Sequence, residues 1–271
     1  MRSFLLLLVL FAGTCAQAQL AVVDTISVES RSMNKAISCV VIRPQGIEKM
    51  PVLYLLHGYS GNFSNWISKV PELKEWAQKY RIIIVCPDGD YASWYFDSPV
   101  DPRSKYETFI SMEVPAAVDR LYPTLADRKH RAITGLSMGG HGALFLAFRH
   151  AGVFGAAGSM SGGLDLNSIK GKYDISRKLG DTIRMAKNYS ELSIINVIDK
   201  KPAETLAITF DCGITDGFYQ MNKAVHEKML KLNIAHDYTE RPGGHTWEYW
   251  ENSLKYQLVF FDNFFRLSGS W

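Results

Sequence analysis

Ser137 gives this sequence its strongest chemical signal. It lies in Gly-Leu-Ser-Met-Gly-Gly at residues 135–140, a G-x-S-x-G pattern that is weak alone because Gly and Ser are common. The run 131–135 before it is predicted as a strand, and a helix is predicted from about 142 to 148 after it. A serine between a strand and a helix is typical of a nucleophile elbow, a sharp and strained turn that needs small neighbours. We therefore predict that Ser137 is a catalytic nucleophile.

A serine hydroxyl is a poor nucleophile at neutral pH and needs an adjacent base that a third group orients. In folds with a nucleophile elbow these groups follow in the chain order serine, acid, histidine. His245, in Gly-Gly-His at 243–245, lies downstream of Ser137 between a predicted strand and a predicted C-terminal helix. We predict that His245 is the base, and we interpret His57 as structural.

The acid has two candidates after a predicted strand at 207–210. Asp216 lies on a loop that can turn back toward His245, whereas Asp211 lies at the strand end and is more constrained. Asp216 is favoured for this reason, and Asp211 remains the alternative. The carboxylate that does not serve His245 is expected to bind loop amides.

Acyl transfer also needs N–H donors for the oxygen on which negative charge develops. One donor is expected on Met138, directly after the serine, and another on the loop after the first parallel strand, where Tyr59 is the best candidate. Aromatic residues in the loops predicted to border Ser137 can stack on a flat substrate. The residues assigned to substrate binding are Trp66, Trp94, Tyr95 and Trp247, of which Trp66 and Trp247 are the best candidates for packing the loops instead.

Short apolar runs alternate with helical patterns along the chain. The runs at 52–56, 82–86, 131–135, 156–160 and 207–210 predict strands, and apolar residues at helical spacing lie at 109–121 and 225–232. Val- and Ile-rich runs at 21–28 and 36–42 predict antiparallel strands at the N-terminus. The predicted fold class is α/β, with a mostly parallel central sheet and helices on both faces.

The first residues have the composition of an export signal. Met1 and Arg2 give a positive start, an apolar run covers 4–12, and Ala-Gln-Ala at 16–18 fits the cleavage rule. We predict a signal peptide at 1–18, an exported protein that is periplasmic or extracellular, and one domain at 19–271. Segment 162–203 has mixed charge and weak periodicity and is predicted to be an insertion or lid. No other apolar run approaches the roughly 20 residues of a membrane span.

Charge and motifs exclude several function classes. The chain of 271 residues has a net charge of +3, and its 30 Lys and Arg are scattered, which argues against nucleic-acid binding. No Walker motif, dinucleotide fingerprint, or zinc or calcium motif occurs, so we expect no cofactor and no metal. Cys39, Cys86 and Cys212 are expected to be buried free thiols, with a Cys86–Cys212 bridge left open. The oligomeric state is also left open.

Together these motifs resemble the putative-esterase family of α/β-hydrolases. The resemblance extends in order over nearly all of the chain after the predicted signal. It rests on Leu-His-Gly-Tyr-Ser-Gly at 56–61, Gly-Leu-Ser-Met-Gly-Gly at 135–140, Asp-Cys-Gly with Asp216 at 211–216, and Gly-Gly-His with Trp247 at 243–247. The family includes the feruloyl and acetyl-xylan esterases of carbohydrate esterase family 1, S-formylglutathione hydrolases and mycolyltransferases.

The resemblance implies an α/β-hydrolase fold and a serine carboxylesterase without a cofactor. It assigns Ser137, Asp216 and His245 to the catalytic triad and Tyr59 to the oxyanion hole. Because the predicted export signal argues against a cytosolic thioester, we expect a secreted enzyme for short acyl or feruloyl esters of carbohydrate. Its substrate is then a small-molecule or polysaccharide ester. The alternatives are an acyltransferase, a thioesterase similar to S-formylglutathione hydrolase, and, least favoured, a binding protein that has lost its chemistry.

Overall fold

Eight strands form one sheet within the residues that the computed structural model describes, which are 20–200, 202 and 204–269. The strands are β1 (Val22–Ser30), β2 (Lys35–Arg43), β3 (Val52–Leu56), β4 (Ile83–Pro87), β5 (Arg131–Gly135), β6 (Ala156–Met160), β7 (Ala207–Gly213) and β8 (Asp237–Arg241). Their order across the sheet is β1-β2-β4-β3-β5-β6-β7-β8. The pairs β1–β2 and β2–β4 are antiparallel, and the other pairs are parallel. The predicted fold class and the antiparallel start are therefore confirmed.

Burial on both faces of the sheet explains the short, continuous apolar runs of the central strands. Every residue of β3, β4 and β6 is buried, as expected for strands of a parallel sheet that is covered on both sides. Strand β7 continues beyond the predicted end to Gly213, which places Asp211 inside the strand. Leu56 pairs with Gly135, so the loop after β3 begins beside the turn that carries Ser137.

Helices cover the two faces of the sheet. They are α1 (Asn65–Lys69), α2 (Leu73–Tyr80), α3 (Tyr106–Thr108), α4 (Val114–Leu121), α5 (Met138–Arg149), α6 (Ile175–Leu179), α7 (Ala186–Leu192), α8 (Ile194–Val197), α9 (Tyr219–Lys231) and α10 (Trp247–Ser268), with a π-helical turn at Phe109–Glu113 and a 3₁₀ turn at Arg128–His130. Tyr54 belongs to the buried cluster that includes residues of α4, α5 and α9. Leu53 and Leu55 belong to the cluster that includes residues of α2 and α10. Since neighbouring residues of a strand point to opposite faces, these clusters are the two halves of the core.

Segment 162–203 connects β6 to β7 and contains α6, α7 and α8. Several of its apolar side chains are buried, with Ile175, Leu179, Tyr189 and Ile194 essentially inaccessible to solvent, whereas Tyr173, Ile183 and Met185 are exposed. The segment is therefore packed against the rest of the core, and its role as a lid stays a prediction. The predicted signal peptide at 1–18 lies outside the described residues.

Buried free thiols and a Cys86–Cys212 bridge were the two expectations for the cysteines, and the structure agrees with the first. Cys39, Cys86 and Cys212 are free and buried, so the buried free thiols are confirmed and the Cys86–Cys212 bridge is not formed. Burial raises the pKa of all these thiols. They are therefore inert in the ordinary pH range. Among the described helices, none combines the length and the apolar character needed to cross a bilayer.

Candidate active site

Ser137 lies at the turn between β5 and α5 with φ 54° and ψ −114°, a conformation that is costly for any residue with a side chain. The turn is tight because Gly135 and Gly139 approach other backbone closely. A Cβ at Gly139 would lie 2.5 Å from the carbonyl oxygen of His57, and one at Gly135 would lie 2.7 Å from the backbone of Gly139. The glycines flanking Ser137 are therefore required by close packing at the elbow.

Helix α5 begins at Met138, four positions before the predicted start at 142. The prediction was wrong because glycines at 139, 140 and 142 disfavour a helix by propensity. Here they are packed instead: a Cβ at Gly142 would lie 2.4 Å from the ring of Tyr95. Tertiary contacts thus outweigh propensity, and the N-terminus of α5 lies directly beside Ser137.

A continuous chain of hydrogen bonds links Ser137, His245 and Asp216. The Ser137 Oγ lies 2.9 Å from His245 Nε2, and His245 Nδ1 lies 2.8 Å from Asp216 Oδ2. With the histidine neutral, this geometry assigns the proton to Nδ1, which donates to the carboxylate, and leaves Nε2 to accept from the serine hydroxyl. The His245 side chain is 34% exposed and that of Asp216 is fully buried, so solvent reaches the base but not the acid.

Asp216 is ionised in this setting. Burial by itself would raise its pKa, but the hydrogen bond and charge of His245 and the N–H of Phe218, 2.7 Å from Asp216 Oδ1, hold the pKa below its ordinary value. A buried carboxylate that stays charged favours a positive charge on the imidazole that it contacts. Asp216 is therefore suited to stabilise His245 once the histidine takes up a proton.

Asp211 has a different environment. Its carboxylate accepts hydrogen bonds from the hydroxyls of Tyr249 and Ser253 and from the amide of Gln257, at 2.9, 2.6 and 2.9 Å. Burial raises the pKa of Asp211 above its ordinary value, although these donors and Arg241 oppose the shift. The expectation that this carboxylate binds loop amides is wrong, because its position inside β7 directs it to side chains of α10 and it joins that helix to the sheet.

His57 fixes the orientation of the peptide between Gly58 and Tyr59. Its Nε2 accepts from the N–H of Gly89 at 2.8 Å, so Nδ1 carries the proton and donates to the carbonyl oxygen of Gly58, also at 2.8 Å. The N–H of Gly61 donates to the same oxygen at 3.1 Å. Because a trans peptide is planar, anchoring this carbonyl turns the N–H of Tyr59 the opposite way.

Burial lowers the pKa of His57, so the imidazole stays neutral and keeps this pattern. The structural role of His57 is therefore to hold the peptide that carries the Tyr59 N–H. Within the described residues, no acceptor takes the N–H of Tyr59 or that of Met138. A Cβ at Gly58 would lie 3.5 Å from the Cβ of Ser137, so this loop passes beside the serine.

An open cleft of about 410 Å³ contains Ser137 and His245. Its aromatic lining consists of Tyr59, Tyr173, Trp247 and Trp250. The Trp250 ring lies 4.8 Å from that of His245, between centroids. Trp247 lines the cleft and its ring also packs against that of Trp66, so its role in substrate binding stays a prediction.

The other predicted substrate-binding residues are packing residues. Trp66, Trp94 and Tyr95 are 1%, 1% and 0% exposed and none lines the cleft. Their polar hydrogens go to backbone carbonyls of Leu56, Tyr173 and His57, respectively. With ring faces buried and polar groups satisfied inside the protein, they offer nothing to a substrate, and these assignments were wrong.

Sequence reasoning missed Tyr173 and Trp250. Trp250 follows Trp247 at a spacing that puts both on one face of a helix, a signal that was available in the sequence. Tyr173 lies in segment 162–203, where no periodicity indicates which residues turn toward the site. In the part of the chain that the structure describes, no group of three or more His, Cys, Asp or Glu is placed to hold a metal ion.

A mostly parallel sheet with a strained serine after β5, and an acid and a histidine after later strands, defines an α/β-hydrolase. Residues 30–261 match the family described as "Putative esterase", and the chain belongs to that family. It is 26% identical over 219 residues to an acetyl esterase of Caldicellulosiruptor saccharolyticus, covering 76% of this chain and 81% of the relative.

Other relatives broaden the comparison. A solved ferulic acid esterase superposes with a TM-score of 0.77 and 27% identity, covering 90% of this chain and 98% of that one. The diacylglycerol acyltransferase/mycolyltransferase Ag85A of Mycobacterium tuberculosis is 34% identical over 171 residues, covering 59% of this chain and 48% of the relative. The protein is accordingly a serine hydrolase that acts on carboxylic esters.

Proposed function

We propose that Ser137, His245 and Asp216 are the catalytic triad of this esterase. Ser137 Oγ attacks the carbonyl carbon of the ester while His245 Nε2 takes the hydroxyl proton, and Asp216 stabilises the imidazolium. The same proton then passes to the leaving alcohol oxygen as the ester bond breaks. Water then attacks the acyl-enzyme while His245 takes its proton, and His245 returns that proton to Ser137 Oγ as the acyl–oxygen bond breaks and the acid leaves. The observation that carries the proposal is the hydrogen-bonded chain from Asp216 through His245 to Ser137 in an open cleft.

The N–H groups of Tyr59 and Met138 form the oxyanion hole in this mechanism. This assignment is supported because neither N–H group has another acceptor among the described residues and because His57 anchors the peptide that carries the Tyr59 N–H. Donors fixed in advance need no reorganisation when the carbonyl oxygen becomes negative. The N-terminus of α5 adds a favourable field at the same place.

The substrate in our proposal is a short acyl or hydroxycinnamoyl ester of a carbohydrate, met outside the cytoplasm. Aromatic rings on the cleft rim suit flat sugar or phenolic faces, and a cleft of about 410 Å³ holds a small acyl group with part of its alcohol. The relatives named as an acetyl esterase and a ferulic acid esterase support the acyl range. The predicted signal peptide at 1–18 supports export.

A substrate panel tests this proposal. The purified protein is assayed on p-nitrophenyl acetate, butyrate and octanoate, methyl ferulate, acetylated xylan and S-formylglutathione, with Ser137→Ala as the inactive control. We expect the highest kcat/KM on acetyl or feruloyl esters and no turnover by Ser137→Ala. A tenfold preference for S-formylglutathione over every acetylated or feruloylated sugar would overturn the substrate, while more than a few per cent of kcat in Ser137→Ala would overturn the triad.

Acyl transfer is the second candidate, favoured by the similarity to the mycolyltransferase. The open cleft leaves room for an alcohol acceptor in place of water. Adding free sugar to the assay separates the two reactions, because transfer yields a new sugar ester and hydrolysis yields the free acid. A product mixture dominated by the new ester would replace hydrolysis by transfer as the function.

A further inference from the structure

A second groove lies beside the catalytic cleft, separated from it by the ring of Tyr173. The groove has a volume of about 420 Å³ and lies between α9 and the segment before α6. Tyr173 lines both spaces. Phe218 lines the groove, and its ring lies 4.8 Å from that of His245 and 5.8 Å from that of Tyr173. The groove thus lies next to the site, on the side of the histidine.

The side on which the groove lies indicates which half of an ester enters it. His245 delivers its proton to the oxygen of the leaving alcohol, so the alcohol must leave from the histidine side of the cleft. The acyl carbonyl oxygen instead faces the N–H groups of Tyr59 and Met138. A chain attached to the alcohol therefore leaves the cleft on the side where Tyr173 and Phe218 line the groove.

The lining of the groove suits a neutral, hydroxyl-rich ligand. Tyr173 is 37% exposed and offers a ring face for stacking. Gln220 and Lys172 are exposed, and within the described residues no partner takes the side-chain amide of Gln220 or the ammonium group of Lys172. Asp165, on the same wall, balances the charge of Lys172 and is already bonded to the hydroxyl of Ser168. The lining also includes the apolar side chains of Ile169, Ile195, Phe218 and Met221. With no excess charge, and with aromatic and apolar faces beside the free polar groups of Gln220 and Lys172, the groove suits a neutral sugar, which has apolar ring faces and a rim of hydroxyls, better than an anion.

The position of Tyr173 is held firmly. Tyr173 and Asp174 both have left-handed backbone conformations, with φ of 54° and 51°, which costs free energy that the surroundings must offset. The Trp94 indole donates to the carbonyl of Tyr173 at 3.1 Å, and the Tyr59 hydroxyl donates to Asp174 at 2.9 Å. These contacts fix the ring between the two spaces, as a stacking platform requires.

We infer that this groove is a binding subsite for the sugar units that continue beyond the esterified one on the alcohol side of the substrate. The inference rests on the proposed function, since it assumes a carbohydrate alcohol. It makes Tyr173 a specificity-determining residue that contacts both the reacting unit and the next one. The groove extends the catalytic cleft, so an oligosaccharide ester gains contacts there that a monosaccharide ester lacks.

Filling the groove tests the inference. Ala224 lines the groove and is exposed on α9, whereas Leu230 is exposed on the same helix and does not line it. We expect Ala224→Trp to raise KM for acetylated xylotetraose at least tenfold, with kcat for that ester and both constants for p-nitrophenyl acetate within twofold of wild type. The matched control Leu230→Trp should leave both substrates unchanged. Gln220→Ala should raise KM for the tetraose ester several-fold without adding bulk.

A binding measurement separates this inference from the proposed function. Unacetylated xylotetraose is titrated into the wild-type protein, and Ala224→Trp should weaken its binding at least tenfold. If the carbohydrate ester is hydrolysed but Ala224→Trp leaves its KM and xylotetraose binding unchanged, the subsite is wrong and the esterase proposal stands. If Ala224→Trp impairs p-nitrophenyl acetate as much as the tetraose ester, the groove serves the acyl half and the inference is also wrong. Failure of the wild type to cleave any carbohydrate ester overturns the carbohydrate substrate and the subsite together.

Discussion

Asp211 and Asp216 lie in and just after the same strand, yet their environments shift their pKa values in opposite directions. Asp216 is paired with His245 and has a lowered pKa, whereas burial raises that of Asp211. Asp216 is therefore placed for charge stabilisation next to the serine, and Asp211 for joining β7 to α10 through neutral donors. The two residues offer a matched pair for separating a catalytic effect from a structural one.

Asp216→Asn should lower kcat on p-nitrophenyl acetate by about 10⁴, the loss that a serine protease suffers when the aspartate that orients its histidine is replaced by Asn. Asp211→Asn should keep kcat within about tenfold and instead lower the free energy of unfolding by about 1–3 kcal/mol, because its new amide group faces hydrogen-bond donors. Steady-state kinetics and urea unfolding of both variants check these outcomes. The reverse order of kcat would transfer the orienting role to Asp211.

His57 acts on the cleft through the peptide that it anchors. His57→Phe removes both of its hydrogen bonds and frees the Tyr59 N–H to reorient. We expect kcat to fall by about 10²–10³, as when one oxyanion donor is lost, with a much smaller change in KM. His57→Gln, which can restore one hydrogen bond, should recover part of the loss. A folded His57→Phe enzyme with wild-type kcat would remove the Tyr59 N–H from the mechanism.

At the scale of elements, the elbow between β5 and α5 depends on glycines that leave room for backbone. Gly139→Ala would put a Cβ 2.5 Å from the carbonyl oxygen of His57, whereas Gly152, after α5, has nothing within 4 Å of its Cβ position. Gly139→Ala should lower kcat at least tenfold and lower the free energy of unfolding by about 1–3 kcal/mol. Gly152→Ala should leave kcat unchanged and be neutral or stabilising by up to about 1 kcal/mol. Equal kinetics and unfolding midpoints for the two variants would contradict the role of close packing at the elbow.

The strands that could be predicted from the sequence are those buried on both faces of the sheet, because such burial produces a short continuous apolar run. The runs at 52–56 and 156–160 coincide with β3 and β6, since only a strand in the middle of a sheet is apolar on both sides. The start of α5 was missed because its glycines serve packing. The chain order of Ser137, Asp216 and His245 follows from the fold type. That their side chains lie within hydrogen-bond distance could not be read from the sequence, because it depends on how the loops after the strands fold.

The aromatic rim was the least predictable part of the site. Trp94 and Tyr95 both have left-handed backbone conformations, with φ of 55° and 61°, which turn their rings into the core. A composition of Trp and Tyr in a loop gives no sign of that direction, because these side chains serve packing and binding equally well. Tyr173 was missed for the converse reason, since the turn that presents it depends on contacts with distant residues such as Trp94 and Tyr59.

At the scale of the whole molecule, α5 and segment 162–203 share a buried histidine. His141, on α5, is fully buried and its Nε2 lies 2.8 Å from the carbonyl oxygen of Leu192 at the end of α7. Its ring stacks on that of Phe145 and meets the edges of Trp94 and Phe96. The imidazole therefore joins the segment that bears Tyr173 to the helix that follows Ser137, and its protonation state matters for the stability of the fold.

Burial lowers the pKa of His141 from 6.5 to about 4. The folded protein keeps this side chain neutral while the unfolded chain takes up a proton near pH 6.5, so the free energy of unfolding is highest above that pH and falls as the pH drops toward 4. At about 1.36 kcal/mol per pH unit, His141 alone accounts for a loss of about 3 kcal/mol over this window. His141→Gln keeps a donor for Leu192 but does not titrate, so its loss of stability between pH 6.5 and 4 should be smaller by up to that amount. Urea unfolding of both proteins at half-unit pH steps measures the slopes, and identical slopes would show that His141 is protonated in the folded state.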